Sequence, residues 1–252
     1  MKYMKIDQLQ VFIADSRAEM GRLSGHDVAA MIKLMLSMKD ELNVMFAAAP
    51  SQNDVLATLV SDPEIAWERV NAFHMDEYIG LPRTAPQGFG NFLRERVFSK
   101  AQFKSVHYIN PEAADPQAEA DRYEALLLAH PMDVCILGIG ENGHVAFNDP
   151  GEADFEDKRL VKTVHLDERC RQQQVNDGCF AAIDEVPRMA MTVTVPGLLR
   201  AKAMFCIVPT TNKAEAVKNA LTGAISPACP ASVLRTKANT RLYLDPASSS
   251  LL

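Results

Sequence analysis

The sequence predicts an α/β protein with a mainly parallel central sheet and helices on both faces, a Rossmann-like, three-layer fold. Short apolar segments of strand length alternate along the chain with segments whose apolar residues recur at helical spacing. The strand segments are apolar on both faces, as in residues 132–137, which indicates that helices cover both sides of the sheet. No repeat, low-complexity tract or linker divides the 252 residues, so we expect one domain over residues 1–252.

The individual elements follow from changes in apolar period. A first helix is predicted over residues 18–38, where Met20, Leu23 and Val28 lie at helical spacing, and a buried strand follows at 42–49. Further strands are predicted at 70–75, 106–109, 132–137, 160–164, 189–193, 203–208 and 241–244. Further helices are predicted from near Asn53 and at 91–98, 116–130, 168–174 and 212–221. Ligands of parallel sheets bind beyond the carboxyl ends of the strands, so chemistry is expected in the loops after Ala49, Met75, Leu137 and Val208.

Composition excludes several classes of protein. The formal net charge is −6 and the 26 basic residues are scattered, which argues against a nucleic-acid partner. No stretch reaches the roughly 18 apolar residues of a membrane span, and no apolar segment follows the N-terminal lysines, so we expect a cytoplasmic protein without a membrane partner. The five cysteines show no C-x-x-C spacing, which favours neither a disulfide framework nor a zinc ribbon.

A glycine-rich loop follows the most apolar predicted strand. Residues 138–150 contain Gly138, Gly140 and Gly143, then His144 and, five residues later, Asp149. A plain strand-to-helix turn would account for a lone histidine, but glycines that let a ligand approach the backbone, together with a nearby acid, favour a functional site. The Gly-x-Gly-x-x-Gly pattern lacks the acidic residue expected about 20 residues further on in a dinucleotide fold.

A second polar cluster follows the predicted strand at 70–75. Asp76 and Glu77 stand at its carboxyl end, and Gly80 and Pro82 close the turn. The alternative is a solvated acidic turn. A carboxylate partly shielded from water at the rim of a sheet has the raised pKa that a general base needs.

Together these segments resemble the two signature segments of glucosamine-6-phosphate deaminases. Residues 73–82 and 137–150 match them in order and spacing, and the likeness extends from about residue 42 to 244, including 188–195, 212–216 and 230–234. The wider superfamily also contains 6-phosphogluconolactonases and galactosamine-6-phosphate enzymes. The resemblance implies aldose-to-ketose isomerisation of an amino-sugar phosphate with loss of ammonia, on the predicted fold.

The resemblance also implies residue roles. Asp76 would move a proton between C2 and C1 of the opened sugar, and His144 would assist ring opening, oriented by Asn142 and Asp149. Family members commonly have Asp or Asn at the position of Asn142 and usually Glu at that of Asp149. Further substrate contacts are expected from Glu77, Gly138, Gly140 and Gly143. No cofactor or metal is expected, the partner is a small-molecule sugar phosphate, and a homo-oligomer is left open.

The expected phosphate site departs from the family pattern. Family members have a Gly-Gly-Ser/Thr loop where this chain has Ser51, Gln52 and Asn53, of which Ser51 or Asn53 is expected to cap the following helix. The family arginine aligns with Gln174, and Arg171 lies one turn earlier. Lys213 matches the family's phosphate lysine.

Three other functions stay open at this stage. A 6-phosphogluconolactonase would use the histidine to activate water, but lactone hydrolysis has no C2 proton for Asp76 to move. A galactosamine-6-phosphate deaminase would differ only in the sugar epimer. A non-catalytic sugar-phosphate sensor is favoured by Asn142 and Gln174 and opposed by Asp76 and His144.

Overall fold

Eleven strands and seven α-helices make up the chain in the computed structural model, which describes residues 1–252. The strands are β1 (Lys2–Ile6), β2 (Leu9–Ile13), β3 (Leu42–Phe46), β4 (Val70–His74), β5 (Asp76–Tyr78), β6 (Ser105–His107), β7 (Val134–Leu137), β8 (Val161–His165), β9 (Met189–Val193), β10 (Ala203–Val208) and β11 (Thr240–Leu244). The helices are α1 (Arg17–Leu36), α2 (Asn53–Val60), α3 (Phe89–Leu93), α4 (Pro116–Ala129), α5 (Glu168–Asn176), α6 (Val195–Leu199) and α7 (Ala214–Thr222).

The larger sheet has eight strands in the order β1-β2-β11-β10-β7-β3-β4-β6. All neighbours pair in parallel except β1 and β2, which form an antiparallel hairpin at one edge. Alternate side chains of β3 enter different apolar clusters, since Val44 and Phe46 belong to one and Met45 to the other. The sheet therefore has an apolar core on each face, and the predicted α/β fold with a mainly parallel sheet is confirmed.

A smaller sheet of three antiparallel strands, in the order β5-β9-β8, lies outside the parallel sheet. The segments at 160–164 and 189–193 were expected in the parallel sheet, and this expectation was wrong. β9 pairs with β5 along Asp76–Tyr78, so both predicted segments join a sheet that begins immediately after β4. Only Met75 separates β4 from β5, and the chain passes there from one sheet to the other.

Several elements differ from those predicted. The hairpin of β1 and β2, the short strand β5 and the five-residue helix α6 were not expected. The predicted helix at 91–98 begins earlier, as α3, and continues as a π-helical turn over Arg94–Phe98. α1 begins where Ser16 accepts a hydrogen bond from the Glu19 N–H. None of the helices is long and apolar enough to cross a lipid bilayer.

Candidate active site

A cleft of about 510 Å³ opens at the carboxyl ends of the parallel strands. Its walls come from the segments that follow β3, β4, β7 and β10, which are the four loops in which the sequence predicted chemistry. The predicted site residues that line it are Ser51, Gln52, Asp76, Gly138, Gly140, His144, Gln174 and Lys213. Residues distant in sequence are thus brought together around one space.

The glycine-rich loop after β7 holds His144 against its own backbone. The Gly140 N–H donates to the His144 carbonyl and the Gly143 N–H donates to the Gly140 carbonyl, each at 3.0 Å. Gly143 has a φ of 88°, which a residue with a Cβ rarely adopts. The His144 ring lies directly over Gly140, so that a Cβ built on Gly140 would stand 2.1 Å from the ring carbon Cε1. The loop therefore positions the imidazole through the absence of a side chain at residue 140.

We expect Gly140→Ala to displace the His144 ring and reduce turnover while leaving the fold intact. The added Cβ would also lie within 2.4 Å of both ring nitrogens, a distance that no unshifted structure accommodates. A roughly 1 Å displacement of a catalytic group costs on the order of 100-fold in rate. Steady-state kinetics and a melting curve measure the two effects. Gly151→Ala is the comparison for backbone strain alone: its φ of 95° makes any side chain there strained, but a Cβ meets nothing within 4 Å, so this variant should lose stability without displacing His144. Full activity in Gly140→Ala would contradict a fixed imidazole.

A carboxylate and an amide oxygen lie beside Nδ1 of His144. Nδ1 lies 2.9 Å from Oδ1 of Asp149 and 2.8 Å from Oδ1 of Asn142. The Asn142 amide nitrogen donates to Asp149 and to Asp167, both at 3.0 Å. Because its neighbours on this side are acceptors, Nδ1 carries the proton, and Nε2 is the ring nitrogen left free to act as a base. Asn142 thus links the histidine to a second carboxylate, that of Asp167.

Asn142 carries no negative charge, but the carboxylate of Asp149 lies beside it. Asp149 is fully buried, which raises the pKa of its carboxyl, but the His144 charge and the hydrogen bonds from His144 and Asn142 outweigh this and lower the pKa below its usual value. Asp149 is therefore ionised and can stabilise a protonated imidazole. The sequence analysis missed Asp167, whose side chain also accepts from the Cys170 N–H as the N-cap of α5.

Donor atoms of His144, Asp149 and Cys170 lie within 4.8 Å of one another, a set that could hold a metal ion. Two of these three residues, His144 and Asp149, are already joined to each other by a hydrogen bond. Burial and the nearby carboxylates raise the pKa of the Cys170 thiol well above its usual value, which favours the protonated thiol over a thiolate ligand. The absence of a metal from the reaction stays a prediction.

Asp76 lines the same cleft from β5. Its side chain is 6% exposed, and burial, followed by the negative charge of Glu77, raises its pKa well above the usual value. No group of the protein donates a hydrogen bond to its carboxylate. Its backbone is held by His74, whose Nδ1 lies 2.9 Å from the Asp76 carbonyl while Nε2 accepts from the Ile109 N–H. Burial lowers the pKa of His74 to about 4, so this buried imidazole is neutral.

Glu77 was expected to contact the substrate, but it does not line this cleft. Successive side chains of a strand point to opposite faces, so Glu77 leaves β5 on the side away from Asp76. Its buried carboxylate accepts from the N–H groups of Tyr78, Phe89 and Gly90. These bonds fix the start of α3, and the Phe89 ring lines the active-site cleft.

One end of the cleft is suited to an anion. Lys213 is 3% exposed and its Nζ has no hydrogen-bond partner, and burial lowers its pKa. The amide of Gln52 donates to the Ile207 carbonyl and to Ser51, and the buried Gln52 Oε1 has no partner. Gln174, on α5, is also buried beside this end. A buried ammonium without a counter-charge is costly unless a negatively charged ligand binds to it.

Two predicted phosphate residues lie elsewhere. The Arg171 guanidinium donates to the carbonyls of Ile183 and Val186 and does not line the cleft, so Arg171 does not replace the missing arginine. Asn53 accepts from Nε of Arg96 in a neighbouring depression. Neither Ser51 nor Asn53 caps α2 as expected, because a short 3-10 turn over Pro50–Gln52 leads into the helix without a side-chain cap.

Other residues in and beside the cleft escaped the sequence analysis. Gln173 accepts from the Glu141 N–H and so ties α5 to the glycine-rich loop. Thr192 of β9 accepts from the Phe147 N–H, which joins the small sheet to the same loop. Ala146, which precedes Phe147 in that loop, has a φ of 49°, an uncommon conformation for a residue other than glycine. Only the three-dimensional arrangement identifies these residues, since none belongs to a chemical motif.

The fold and the cleft together define an α/β enzyme class in which a buried carboxylate and a histidine–carboxylate pair lie in one cleft with an unpartnered lysine. Residues 15–243 match the family model described as glucosamine-6-phosphate isomerases/6-phosphogluconolactonase. The chain belongs to this family, as the resemblance of its two motifs predicted.

Individual relatives agree with this assignment. Glucosamine-6-phosphate deaminase of Listeria monocytogenes serotype 4a (strain HCC23) is 34% identical over 212 residues, 84% of this chain and 88% of that protein. The enzyme of the same name from Bacillus thuringiensis (strain Al Hakam) is 33% identical over 221 residues, 88% of this chain and 82% of that protein. A solved monomeric glucosamine-6-phosphate deaminase superposes with a TM-score of 0.87 at 28% identity, covering 99% of this chain and 100% of the other.

A 6-phosphogluconolactonase from Thermotoga maritima shares the fold at a TM-score of 0.76 and 18% identity, covering 94% of this chain and 99% of the other.

Proposed function

We propose that the protein is a glucosamine-6-phosphate deaminase, which converts its substrate to fructose 6-phosphate and ammonia. The observation that supports this most directly is the buried Asp76 carboxylate, which has no hydrogen-bond donor and shares one cleft with His144 and the unpartnered Lys213. We further propose that residues 1–252 act as one isomerase/deaminase domain in amino-sugar catabolism in the cytoplasm, without a cofactor.

The proposed sequence starts with ring opening. Nε2 of His144 takes the proton of the C1 hydroxyl and returns one to the ring oxygen, which gives the open-chain aldehyde. The resulting imidazolium is stabilised by Asp149, whose Oδ1 lies 2.9 Å from Nδ1. Asn142 and Asp167 hold this pair in place.

Asp76 then takes the proton from C2 and delivers it to C1. The electron pair released at C2 forms a C1–C2 double bond while the aldehyde oxygen takes a proton from the ammonium group, which gives an enolamine. Protonation of C1 then leaves C1 as an alcohol, reduced from the aldehyde, and C2 oxidised to an iminium. Water adds to the iminium, and ammonia leaves to give the ketone. An aspartate with a raised pKa suits this step because the proton that it accepts at C2 is given up at C1.

The 6-phosphate would occupy the anion end of the cleft. Lys213 supplies the charge there, and Ser51 and Gln52 supply polar groups. Gln174 contributes an amide where the family pattern has an arginine, so a single cation carries most of the charge recognition.

The experiment that tests the function is ammonia release from a panel of amino-sugar 6-phosphates, run beside hydrolysis of 6-phosphogluconolactone. We expect ammonia from glucosamine 6-phosphate and no lactone hydrolysis above background. A preference for galactosamine 6-phosphate would change the epimer but keep the mechanism. Lactone hydrolysis without ammonia release would replace the proposed function with a lactonase, and no turnover of any compound would favour a sensor.

Lys213→Ala should raise the Michaelis constant for the phosphorylated sugar by roughly 10- to 150-fold, since a charge-assisted contact contributes about 1.5–3 kcal/mol. Steady-state kinetics with glucosamine 6-phosphate and with plain glucosamine measure the effect. Turnover of the unphosphorylated sugar should not change. Lys218→Ala, an exposed lysine of the helix that follows Lys213, is the matched control. Equal use of both sugars by the unaltered protein, with Lys213→Ala neutral for each, would contradict a phosphate site at Lys213.

A further inference from the structure

A second cavity, of about 1050 Å³, lies on the other side of β5 from the active-site cleft. Asp76 faces the cleft and its neighbour Glu77 lines the second cavity. The other walls come from the turn around Arg83, the start of α3, the segment after β6 and one side of α4. None of the proposed catalytic or phosphate-binding residues lines this second cavity.

Three guanidinium groups surround the second cavity, those of Arg83, Arg94 and Arg122. Arg122 is held by the buried Glu119 and donates to the Tyr108 carbonyl. Arg83 donates to the Asn110 side chain, and its nearest carboxylate oxygen, on Glu112, is 3.8 Å away. The guanidinium of Arg94 has neither an ion pair nor a hydrogen bond. In a chain of net charge −6, this local excess of cations favours an anionic ligand.

The two acidic groups of the cavity, Glu77 and Glu119, balance two of the three arginines and leave one positive charge in excess. Glu119 is engaged by Arg122 and by the Asn110 N–H, and Glu77 is surrounded by the three N–H groups that it binds. Tyr108 adds an aromatic ring that is 38% exposed at the same wall. Arginine groups bind phosphate oxygens, and a sugar or a base can stack on an aromatic ring beside them. This combination fits a phosphorylated metabolite.

The second cavity is physically connected to the active site. The Glu77 carboxylate binds the N–H groups of Phe89 and Gly90; Gly90 lines the second cavity while the Phe89 ring lines the active-site cleft. A ligand that moves the start of α3 would therefore move Phe89. Glu77 is also joined through one peptide bond to Asp76.

We propose that the second cavity binds a small phosphate monoester through Arg83, Arg94 and Arg122, and that its occupation changes turnover in the adjacent active site. The binding claim goes beyond the proposed deaminase function and does not depend on it. The claim about turnover rests on that function.

Calorimetric titration of three probes would test the binding site: inorganic phosphate, fructose 6-phosphate and AMP. The protein carries Lys213→Ala to weaken phosphate binding in the active site. We expect at least one probe to bind, and adding Arg94→Ala to weaken that binding roughly 10-fold or more, the worth of one charge-assisted contact. Arg200→Ala, an exposed arginine outside the cavity, should leave it unchanged. The order of the three affinities distinguishes a bare phosphate from a sugar or a nucleoside ester.

Failure of all three probes to bind at millimolar concentration, or binding that Arg94→Ala and Arg83→Ala leave unchanged, would overturn the site. Melting curves of each variant check that the fold is kept; both arginines are exposed, so we expect no loss of stability. In otherwise unaltered protein, the best probe should change kcat, and Arg94→Ala should abolish that change. Binding without any effect on kcat would overturn the coupling, and absence of deaminase turnover would refute only the proposed function.

Discussion

Asp76→Asn is expected to lower turnover by about 100-fold or more and to leave the fold intact, because asparagine keeps the shape of the side chain but cannot accept the C2 proton. Kinetics with glucosamine 6-phosphate measure the loss. Asp184→Asn, an exposed aspartate, is the control and should have normal activity. A rate near that of the unaltered protein would eliminate Asp76 as the group that moves the proton.

The raised pKa of Asp76 adds two expectations. As the pH falls, kcat/KM should decline well above the pH near 3.8 at which an ordinary aspartate titrates.

For stability, a carboxyl whose pKa is higher in the folded than in the unfolded protein stabilises the fold when protonated, and this contribution is lost as the pH rises through the folded pKa. Asp76→Asn should therefore raise the melting temperature at pH 7, which a thermal unfolding curve would show.

His144→Gln should lower turnover of the cyclic sugar by about 100- to 10,000-fold, the range for a positioned general acid–base group. Glutamine retains a hydrogen-bonding end but has no basic nitrogen in place of Nε2. Because the proposed role of His144 ends when the ring is open, an open-chain analogue of the substrate should lose much less. Parallel kinetics on the two compounds measure the difference.

His165→Gln, at an exposed position of β8, is the matched histidine control. A melting curve of His144→Gln separates loss of chemistry from loss of structure. Equal losses on the cyclic sugar and the open-chain analogue would assign His144 to the proton transfer itself.

The parallel sheet was predictable because its strands are buried on both faces and read as continuous apolar segments. β1 failed this criterion, since its residues are mostly exposed and it gains regular structure only by pairing with β2. β9 met the criterion but belongs to the other sheet: four of its five residues are buried, as in a central parallel strand. An apolar pattern indicates that a strand is buried, but it does not indicate which strand is its hydrogen-bonding neighbour.

Within the site, the sequence located the right loops more reliably than the direction of individual side chains. The local pattern does not distinguish the neighbouring acids Asp76 and Glu77, to which the resemblance assigned different roles in one site. The alternation of β5, a strand that was not predicted, places their side chains on opposite faces. Arg171 was chosen by spacing along a helix, but its guanidinium is used by two backbone carbonyls. Asp167 could have been found as the polar residue immediately before the predicted helix at 168–174, the usual place of an N-cap.

The passage of the chain from one sheet to the other at Met75 divides the proposed proton-transfer group from the proposed phosphate site, although His144 follows a strand of the parallel sheet. Lys213 and the turn around Ser51 follow strands of the parallel sheet, whereas Asp76 belongs to the three-stranded sheet. Substitutions in the small sheet can therefore change which reaction occurs while the anion pocket keeps its place. With the proposed phosphate site, a scaffold divided in this way lets one anchor serve several reactions, which offers a physical reason for isomerases and lactonases to share a single family description.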